Sequence, residues 1–413
     1  MAKEEKKAPK LRFNGYTNDW EQQELGAVVE FYSGLTYKPE NVVQNGTLVI
    51  RSSNIHNNQY INADNVYVKN NIVNSEYVQE QDIIVVVRNG SRNLIGKHAL
   101  LKSIPHDPSV IGAFMTGIRS LNNQFIEAVL NTEKFKREIN KNLGATINQI
   151  TTSQFKKMKF NFPKREEDKQ IGILFNYLDD TIQLHERKYE ELALIKKALL
   201  QKLFPKNDEV APEVRYKNFN DAWEQRKLGE VGKTFTGLSG KTKEDFGHGD
   251  AHFVTYMNVY SNPISDPNMV ENVEIDTKQQ EVKKGDVFFT TSSETPEEVG
   301  MSSVWLSDAP HIYLNSFCFG FRPTVNIFHP YYLAYLLRSN NIRNKMMILA
   351  QGISRYNISK NKVMKLNVTI PNIREQQKIG EFFKQLDFLI TLHHRKLEKL
   401  KQLKKFLLQN MFI

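Results

Sequence analysis

The stretch PKREEDKQIGILFNYLDDTIQLHERKYEELALIKKALLQKLF, from Pro163 to Phe204, decides the fold because a related copy, Pro371 to Phe412, follows 208 residues later. In both copies the apolar positions advance by alternating steps of four and three residues. This spacing is typical of an a/d seam, along which two helices supercoil about each other. The predicted seam positions are Ile171, Phe175, Leu178, Ile182, His185, Tyr189 and Leu192 in the first copy, and Ile379, Phe383, Leu386, Ile390, His393, Leu397 and Leu400 in the second.

Two such helices in one chain favour an intramolecular coiled coil. At about 1.5 Å per residue, helices of about 35 to 40 residues would span roughly 50 to 60 Å, which suits a spacer. If the helices pair antiparallel, each starts from its own globular domain, and approximate two-fold symmetry relates the two domains. The alternative is that each stripe is the buried face of an ordinary helix on its own domain.

A second repeat, which we call the Trp lead, opens each half of the chain, at an offset of 203 residues. Trp20-Glu21-Gln22 with Leu25-Gly26 matches Trp223-Glu224-Gln225 with Leu228-Gly229. The sequences between this lead and the long helix diverge, although strands are predicted at 48–50 and 253–255, at 82–87 and 285–289, and at 158–162 and 366–370. One helical segment is predicted in each half, at 123–143 and 331–350. Polar loops at 88–93 and 290–295 follow the central strands.

The predicted fold class is α+β, with two pseudo-two-fold related α/β domains separated by two long helices that form an antiparallel intramolecular coiled coil. The boundaries follow from the repeats. They are 1–10 for a disordered arm of basic and acidic residues, 11–162 for the first variable domain, 163–205 for the first long helix, 206–218 for a linker, 219–370 for the second variable domain and 371–413 for the second long helix.

Composition narrows the classes of function. The 413 residues carry a formal charge of +10, with a pI near 9.2, which favours a polyanionic partner. Cys318 is the single cysteine, so an intrachain disulfide is impossible and a reducing cytoplasm fits. No apolar run approaches the roughly 20 residues that span a bilayer, and Met1 to Lys10 lacks an apolar signal region. We therefore expect a cytoplasmic protein without a membrane partner.

Catalytic and metal-binding patterns do not stand out. There is no Walker loop and no G-x-G-x-x-G motif. The stretch from His329 to Tyr332 lacks the Asn or Asp that an amino-methyltransferase motif requires, and Glu281-x-Lys283 with Asp266 is more typical of a charged turn than of a nuclease site. His185 and His393 share one d position of the seam, so core histidines are favoured over metal ligands. We predict no catalytic residue and no metal site.

The positive signal lies in the polar loops and a few neighbouring residues. Arginine, asparagine and serine side chains read guanine and adenine edges in the major groove, a carboxylate can accept a hydrogen bond from cytosine, and lysine reaches phosphate. For any one residue, a solvated loop position is the competing interpretation. The predicted DNA-binding residues are Arg88, Asn89, Ser91, Arg92, Lys97, Lys241, Lys243, Tyr256, Thr291, Ser292, Ser293, Glu294, Arg355 and Tyr356.

With these features the chain resembles the specificity subunit of Type I restriction-modification systems. The duplicated Trp leads carry the resemblance, together with Pro163…Glu167…Ile171-Gly172, Pro371…Glu375-Gln376-Gln377…Ile379-Gly380 and the two long helices. The first copy departs from the family pattern, because Glu167-Asp168 replaces the usual Glu-Gln pair.

The resemblance implies that the two variable domains are target recognition domains for a bipartite site on double-stranded DNA. It also implies docking of two adenine methyltransferase subunits and, in the full complex, two restriction subunits that act as translocase and nuclease. The chain itself would be noncatalytic and need no cofactor, since S-adenosylmethionine, ATP and magnesium would belong to the partners. Two other functions stay open, namely a stand-alone sequence-specific DNA-binding regulator and a coiled-coil scaffold.

Overall fold

In the computed structural model, the structure describes residues 8–104, 106, 108–143, 148–206 and 209–413. Most of the predicted disordered arm, residues 1–7, lies outside the described residues, as do residues 207 and 208 of the predicted linker. The chain divides into two compact units. One comprises residues 1–186 with 395–413, and the other comprises residues 187–394.

The first unit is built from short strands and helices, followed by the start of a long helix. Its helices are α1 Leu25–Val28, α2 Asn123–Leu130, α3 Glu133–Asn142, α4 Thr152–Lys156 and the first part of α5 Arg165–Lys202. Its strands are β1 Glu21–Glu24, β2 Glu30–Ser33, β3 Val42–Val43, β4 Thr47–Ile50, β5 Ile55–His56, β6 Gln59–Tyr60, β7 Val66–Val68, β8 Ile83–Val86, β9 His98–Leu100, β10 Ser109–Ile111, β11 Met115–Arg119 and β12 Lys159–Phe162.

The second unit has a similar order, with an additional helix, α7, between two of its strands. Its helices are α6 Leu228–Val231, α7 Tyr256–Ser261, α8 Pro330–Leu336, α9 Asn340–Leu349, α10 Lys360–Val363 and the first part of α11 Ile373–Asn410. Its strands are β13 Glu224–Lys227, β14 Gly232–Thr236, β15 Phe246–Val254, β16 Val270–Val273, β17 Val287–Thr290, β18 Ser292–Ser293, β19 Ser302–Val304, β20 Ile312–Leu314, β21 Cys318–Pro323, β22 Tyr356–Asn357 and β23 Asn367–Ile370.

The central sheet has the same topology in both units. The strand order is β2-β11-β8-β9 in the first and β14-β21-β17-β19 in the second, antiparallel throughout. The inner strands β8 and β17 are fully buried, which explains their continuous apolar sequences. An arginine of the neighbouring strand bonds the buried aspartate that precedes each inner strand, Arg119 to Asp82 and Arg322 to Asp286. The units therefore share a framework that their sequences barely display.

The Trp-bearing leads are structural. Strand β1 pairs with β12 and β13 pairs with β23 in equivalent antiparallel registers, so each lead closes on the strand that precedes a long helix. Arg12, eight residues before Trp20, donates to both oxygens of Glu167 in the first turn of α5, and Arg215, eight residues before Trp223, donates to both oxygens of Glu375 in α11. The repeated Glu is therefore a buried anchor for the lead.

The repeated Ile-Gly pair has a packing reason. A Cβ on Gly172 of α5 would lie 2.8 Å from the backbone nitrogen of Phe125 in α2, and a Cβ on Gly380 of α11 would lie 2.6 Å from that of Tyr332 in α8. Atoms at that separation clash, so glycine allows each long helix to approach the neighbouring helix closely.

Helices α5 and α11 each extend over 38 residues and cross the boundary between the units. In the first unit, Asp179 and Glu186 of α5 form ion pairs of 2.5 and 2.8 Å with Lys404 and Lys401 of α11. Residue numbers fall along α11 as they rise along α5, so the segments run antiparallel. In the second unit, Lys196 pairs with Asp387 at 2.6 Å, an equivalent of the Lys404 to Asp179 pair. The predicted fold class is confirmed.

The coiled-coil interpretation and the ordinary-helix interpretation are each correct for part of the seam. All the predicted seam positions are buried or half-buried. Ile171 and Phe175 belong to the main core of the first unit, as an ordinary domain helix would require, whereas Leu178 and Ile182 of α5 pack with Leu397 of α11. The seam thus changes from domain core to interhelical contact along one helix.

The far end of each long helix completes the core of one unit. Phe412, just after α11, has its ring centroid 6.1 Å from Trp20 and 5.6 Å from Phe175. In the second unit Phe204, just after α5, lies 5.9 Å from Phe383. Phe204 and Phe412 are equivalent positions of the repeat. Each long helix therefore starts in one unit and its last residues belong to the core of the other.

Two details of the prediction were wrong. The single helical segment expected in each half is two helices, α2 with α3 and α8 with α9, and the side chain of Thr132 caps α3 by accepting from the backbone N–H of Phe135. The loop predicted at 290–295 also contains regular structure. Thr290 ends β17, and Ser292 and Ser293 form β18, which pairs with β22.

Candidate nucleic-acid interface

The two candidate loops leave the central sheets at equivalent points, directly after β8 and β17. Gly96 and Gly300 close them with positive φ angles of 83° and 66°, a conformation that glycine adopts without strain. The shared sheet therefore fixes where each loop starts and ends, and the side chains between are free to differ.

In the first unit, the loop is ordered by its own side chains. Asn89 donates from Nδ2 to the Ser52 hydroxyl at 3.1 Å and accepts at Oδ1 from the backbone N–H of Ser91. The Arg88 guanidinium lies over the ring of Phe114, 5.1 Å from its centroid. Arg88 and Ser91 are exposed and Asn89 is half-buried, so these predicted contact residues form one fixed, accessible group.

Arg92 and Lys97 are the other predicted basic residues of this region. They line a shallow depression together with Asn58, Lys136 and Asn140, the last two from helix α3. Arg88, Asn89 and Ser91 do not line this depression. Basic side chains next to the amides of Asn58 and Asn140 are suited to contact backbone phosphates.

In the second unit, a groove gathers five predicted residues. Tyr256, Ser292, Ser293, Glu294 and Arg355 line it, and Met257, Tyr260, Thr295, Glu298, Phe317 and Ser354 complete the wall. Two hydrogen bonds hold its edge. Tyr256 donates its hydroxyl to the carbonyl of Ser292 at 2.9 Å, and Arg355 donates from Nε to the Ser292 hydroxyl at 3.1 Å.

Glu298 is a groove residue that the sequence reasoning missed. It accepts from Tyr260 at 2.9 Å and from Ser293 at 2.7 Å. These hydrogen bonds, the one from Ser293 first, hold the pKa of the Glu298 carboxyl below its ordinary value, so the group stays ionised. A fixed carboxylate in this groove is suited to accept from an exposed amino group. No short-range motif marks Glu298 as different from its neighbour Glu297.

Three of the four remaining predicted residues have structural partners. Lys241 forms an ion pair of 3.0 Å with Asp276, and hydrogen bonding to Asp276 raises its pKa. Lys243 is exposed at the start of a 3-10 turn. Thr291 donates its backbone N–H to the carbonyl of Phe317, and Tyr356 pairs with Ser293 as part of β22. Of these four, Lys243 presents the most accessible side chain.

Comparison with known proteins identifies the family. The model of the Type I restriction modification DNA specificity domain matches the chain twice, at residues 17–194 and 220–402. The chain belongs to this family. The two matches begin near the two Trp leads and cover most of both units and both long helices.

Relatives agree with the domain match. The chain is 24% identical over 387 residues to the Type I restriction enzyme EcoKI specificity subunit of Escherichia coli strain K12, covering 89% of this chain and 82% of the relative. It is 27% identical over 191 residues to the StySPI specificity subunit of Salmonella potsdam, covering 44% and 41%. A solved Type I restriction-modification S subunit from M. genitalium has a TM-score of 0.63, with 15% identity and coverage of 98% and 99%. This structural likeness supports the fold.

The chain is thus a DNA sequence-specificity subunit of a Type I restriction-modification system, with two target recognition domains. Among the described residues, no three His, Cys, Asp or Glu side chains are grouped so as to hold a metal ion. Within the same residues, no helix is both long enough and apolar enough to cross a membrane.

Proposed function

We propose that this chain is noncatalytic, that it reads a bipartite site on double-stranded DNA, and that it directs adenine N6-methylation and restriction by partner subunits. The observation that carries the proposal is one framework built twice with different loops. The buried Arg12 to Glu167 and Arg215 to Glu375 pairs anchor the two leads in the same way, yet the first loop offers arginine and asparagine and the second offers hydroxyls and a carboxylate. Two different half-sites follow from that difference.

Two methyltransferase subunits and two restriction subunits are the proposed protein partners. The support is the name of the relatives as specificity subunits of restriction enzymes, since a subunit that only selects a sequence needs others for the chemistry. S-adenosylmethionine, ATP and magnesium would then be held by those partners. The cytoplasm is the proposed compartment, because the DNA that such a complex modifies lies there.

Methylation mapping tests the proposal. The chain is expressed with the methyltransferase subunit from the same genome in a host that lacks the system, and N6-methyladenine is mapped across the host genome. We expect one two-part motif with a fixed gap. The matched control is the methyltransferase subunit expressed alone. Methylation indistinguishable from that control would overturn the proposal.

A chimera sharpens the assignment of half-sites to units. The loop from Arg88 to Asn93 is replaced by the corresponding loop of another specificity subunit whose site is known. We expect a change in one half of the motif, with the other half and the gap unchanged. A change in both halves would contradict the assignment of one half-site to each unit.

A further inference from the structure

An exposed phenylalanine occupies the same place in both units. Phe114 is 53% exposed and Phe317 is 57% exposed, and each lies in a tight turn just before the central strand β11 or β21. The turns are closed in the same way, because Met115 donates its backbone N–H to the carbonyl of Gly112 at 2.9 Å and Cys318 donates to that of Asn315 at 3.1 Å. The two phenylalanines match at the 203-residue offset of the leads.

Each turn is fixed to the candidate reading loop of its unit. The carbonyl of Phe114 accepts from the backbone N–H groups of Val87 and Arg88 at 3.0 and 3.2 Å. The carbonyl of Phe317 accepts from the backbone N–H of Thr291 at 2.9 Å. The phenylalanine and the first loop residue are thus joined by a backbone contact that does not depend on the divergent side chains.

The surroundings of the two rings are those of a reading surface. The Arg88 guanidinium covers one face of Phe114, and Phe317 shares its groove with Tyr256, Glu294 and Arg355. Single exposed apolar residues are common and need no explanation. An exposed aromatic kept at one position of two divergent loops, each time beside hydrogen-bonding side chains, calls for one.

We propose that Phe114 and Phe317 are specificity residues, each making an apolar contact in the major groove with the methyl group of a thymine in its own half-site. Thymine is marked in that groove by its C5-methyl group, which apolar side chains including phenylalanine contact. The backbone hydrogen bonds hold each phenylalanine beside side chains suited to base edges. An arginine beside the ring reads a neighbouring guanine while the ring reads the methyl group. This inference rests on the proposed function.

The first test compares methylation motifs. Phe114→Ala and Phe317→Ala are expressed separately with the methyltransferase subunit. We expect Phe114→Ala to relax one thymine position in one half-site and Phe317→Ala to relax one in the other half-site. The untouched half-site reports that each variant is folded and assembled. Leu121→Ala and Ile348→Ala, which alter exposed side chains outside the turns, are the matched controls and should leave the motif unchanged.

The second test removes the methyl group from the DNA. Affinity of the purified complex is measured for its site with thymine or uracil at the relaxed position. One buried methyl group is worth ~0.8 kcal/mol, so we expect wild type to lose about fourfold with uracil. Phe114→Ala should bind both DNAs equally, which a double-mutant cycle detects.

Two results would overturn the inference. One is an unchanged motif for both phenylalanine variants. The other is loss of affinity in those variants with no response of wild type to uracil, which would indicate a ring inserted between bases. Failure of the proposed function looks different, since wild type would then give no bipartite motif at all.

Discussion

Arg12 and Glu167 are 155 residues apart in sequence and are joined by two hydrogen bonds of 2.6 and 2.7 Å, with the Glu167 side chain fully buried. Arg215 and Glu375 repeat the arrangement at 2.7 and 2.8 Å, also with a fully buried carboxylate. A bidentate pair of this kind fixes orientation as well as distance. Each pair therefore sets how the lead of its unit meets the first turn of the long helix.

Removal of the arginine should destabilise the unit strongly. Arg12→Ala leaves the Glu167 carboxylate buried without its bidentate cation, while the Trp20 indole still donates to it at 3.2 Å. Breaking a buried ion pair on one side costs about 3 kcal/mol. We expect the free energy of unfolding to fall by that amount in urea denaturation, with hydrogen exchange showing the loss in the first unit.

The control for this prediction is Arg226→Ala. Arg226 bonds Glu224 at 2.6 Å, but both side chains are about half exposed, and such surface pairs contribute little to stability. If the two substitutions lowered stability equally, the lead would not depend on the buried pair.

Glu127 of α2 predicts a pH dependence. Its carboxyl is buried against His98, whose Nε2 lies 3.4 Å from the Glu127 Oε1. Asn131 donates a hydrogen bond to the same oxygen at 3.3 Å. The charges of Lys404 and Asp179 also act on the carboxyl. Burial raises its pKa above the ordinary value of 4.5. The folded state therefore holds this proton more tightly than the unfolded state does, and this contribution to stability is lost as pH rises from about 4.5 through the folded pKa.

Glu127→Gln keeps the shape of the side chain and removes the ionisation. We expect the variant to gain stability relative to wild type in urea at pH 8, and to gain less or nothing at pH 5. Glu80→Gln, at an exposed position, is the control and should show no such trend. A variant less stable than wild type at both pH values would mean that the charged Glu127 and His98 stabilise each other.

The sequence predicted those parts of the fold that depend on local periodicity. The seam of α5 and α11 and the inner strands β8 and β17 all lie where apolar spacing placed them, because burial on one stripe or on both faces leaves a regular pattern. The sequence pattern did not predict the break between α2 and α3, since a single threonine cap, Thr132, interrupts an otherwise helical pattern. Partners such as Arg12 and Glu167 are tertiary contacts that no short-range spacing encodes.

The sequence predicted less of the candidate interface than of the fold. Residue type marked the polar loops, but the grouping of side chains depends on backbone geometry. No sequence signal therefore shows that Arg92 lines a depression that Arg88 does not. Phe114 and Phe317 were missed although they match in the repeat, because an aromatic before a strand is usually part of a core. Their exposure became visible in three dimensions.

A substitution at Arg88 tests whether this residue reads a base or contacts a phosphate. A planar guanidinium can bond the O6 and N7 atoms of guanine together, whereas lysine lacks that fork. If Arg88 reads a base, Arg88→Lys should cost about 1 to 3 kcal/mol, roughly 5-fold to 150-fold in affinity for the intact site, with the salt dependence unchanged. Equal binding by wild type and Arg88→Lys would assign Arg88 to phosphate.

Lys97→Ala is the comparison for Arg88. A phosphate contact should weaken binding to all sequences alike and reduce the slope of log affinity against log salt by about one. The methylation motif should not change. Relaxation of a base position in Lys97→Ala would instead place Lys97 among the reading residues.

The length of α5 and α11 should set the gap of the recognised site. Each helix crosses from one unit into the other, so a heptad inserted into both helices lengthens each by about 10 Å while keeping the seam in phase. On DNA with roughly 34 to 36 Å per turn of 10 to 10.5 base pairs, that corresponds to about three base pairs. Methylation mapping should therefore show unchanged half-sites with a longer gap. A heptad inserted into α5 alone, which disrupts the Lys404 to Asp179 register, should abolish methylation. New half-sites at the original gap would show that the helices do not act as the spacer.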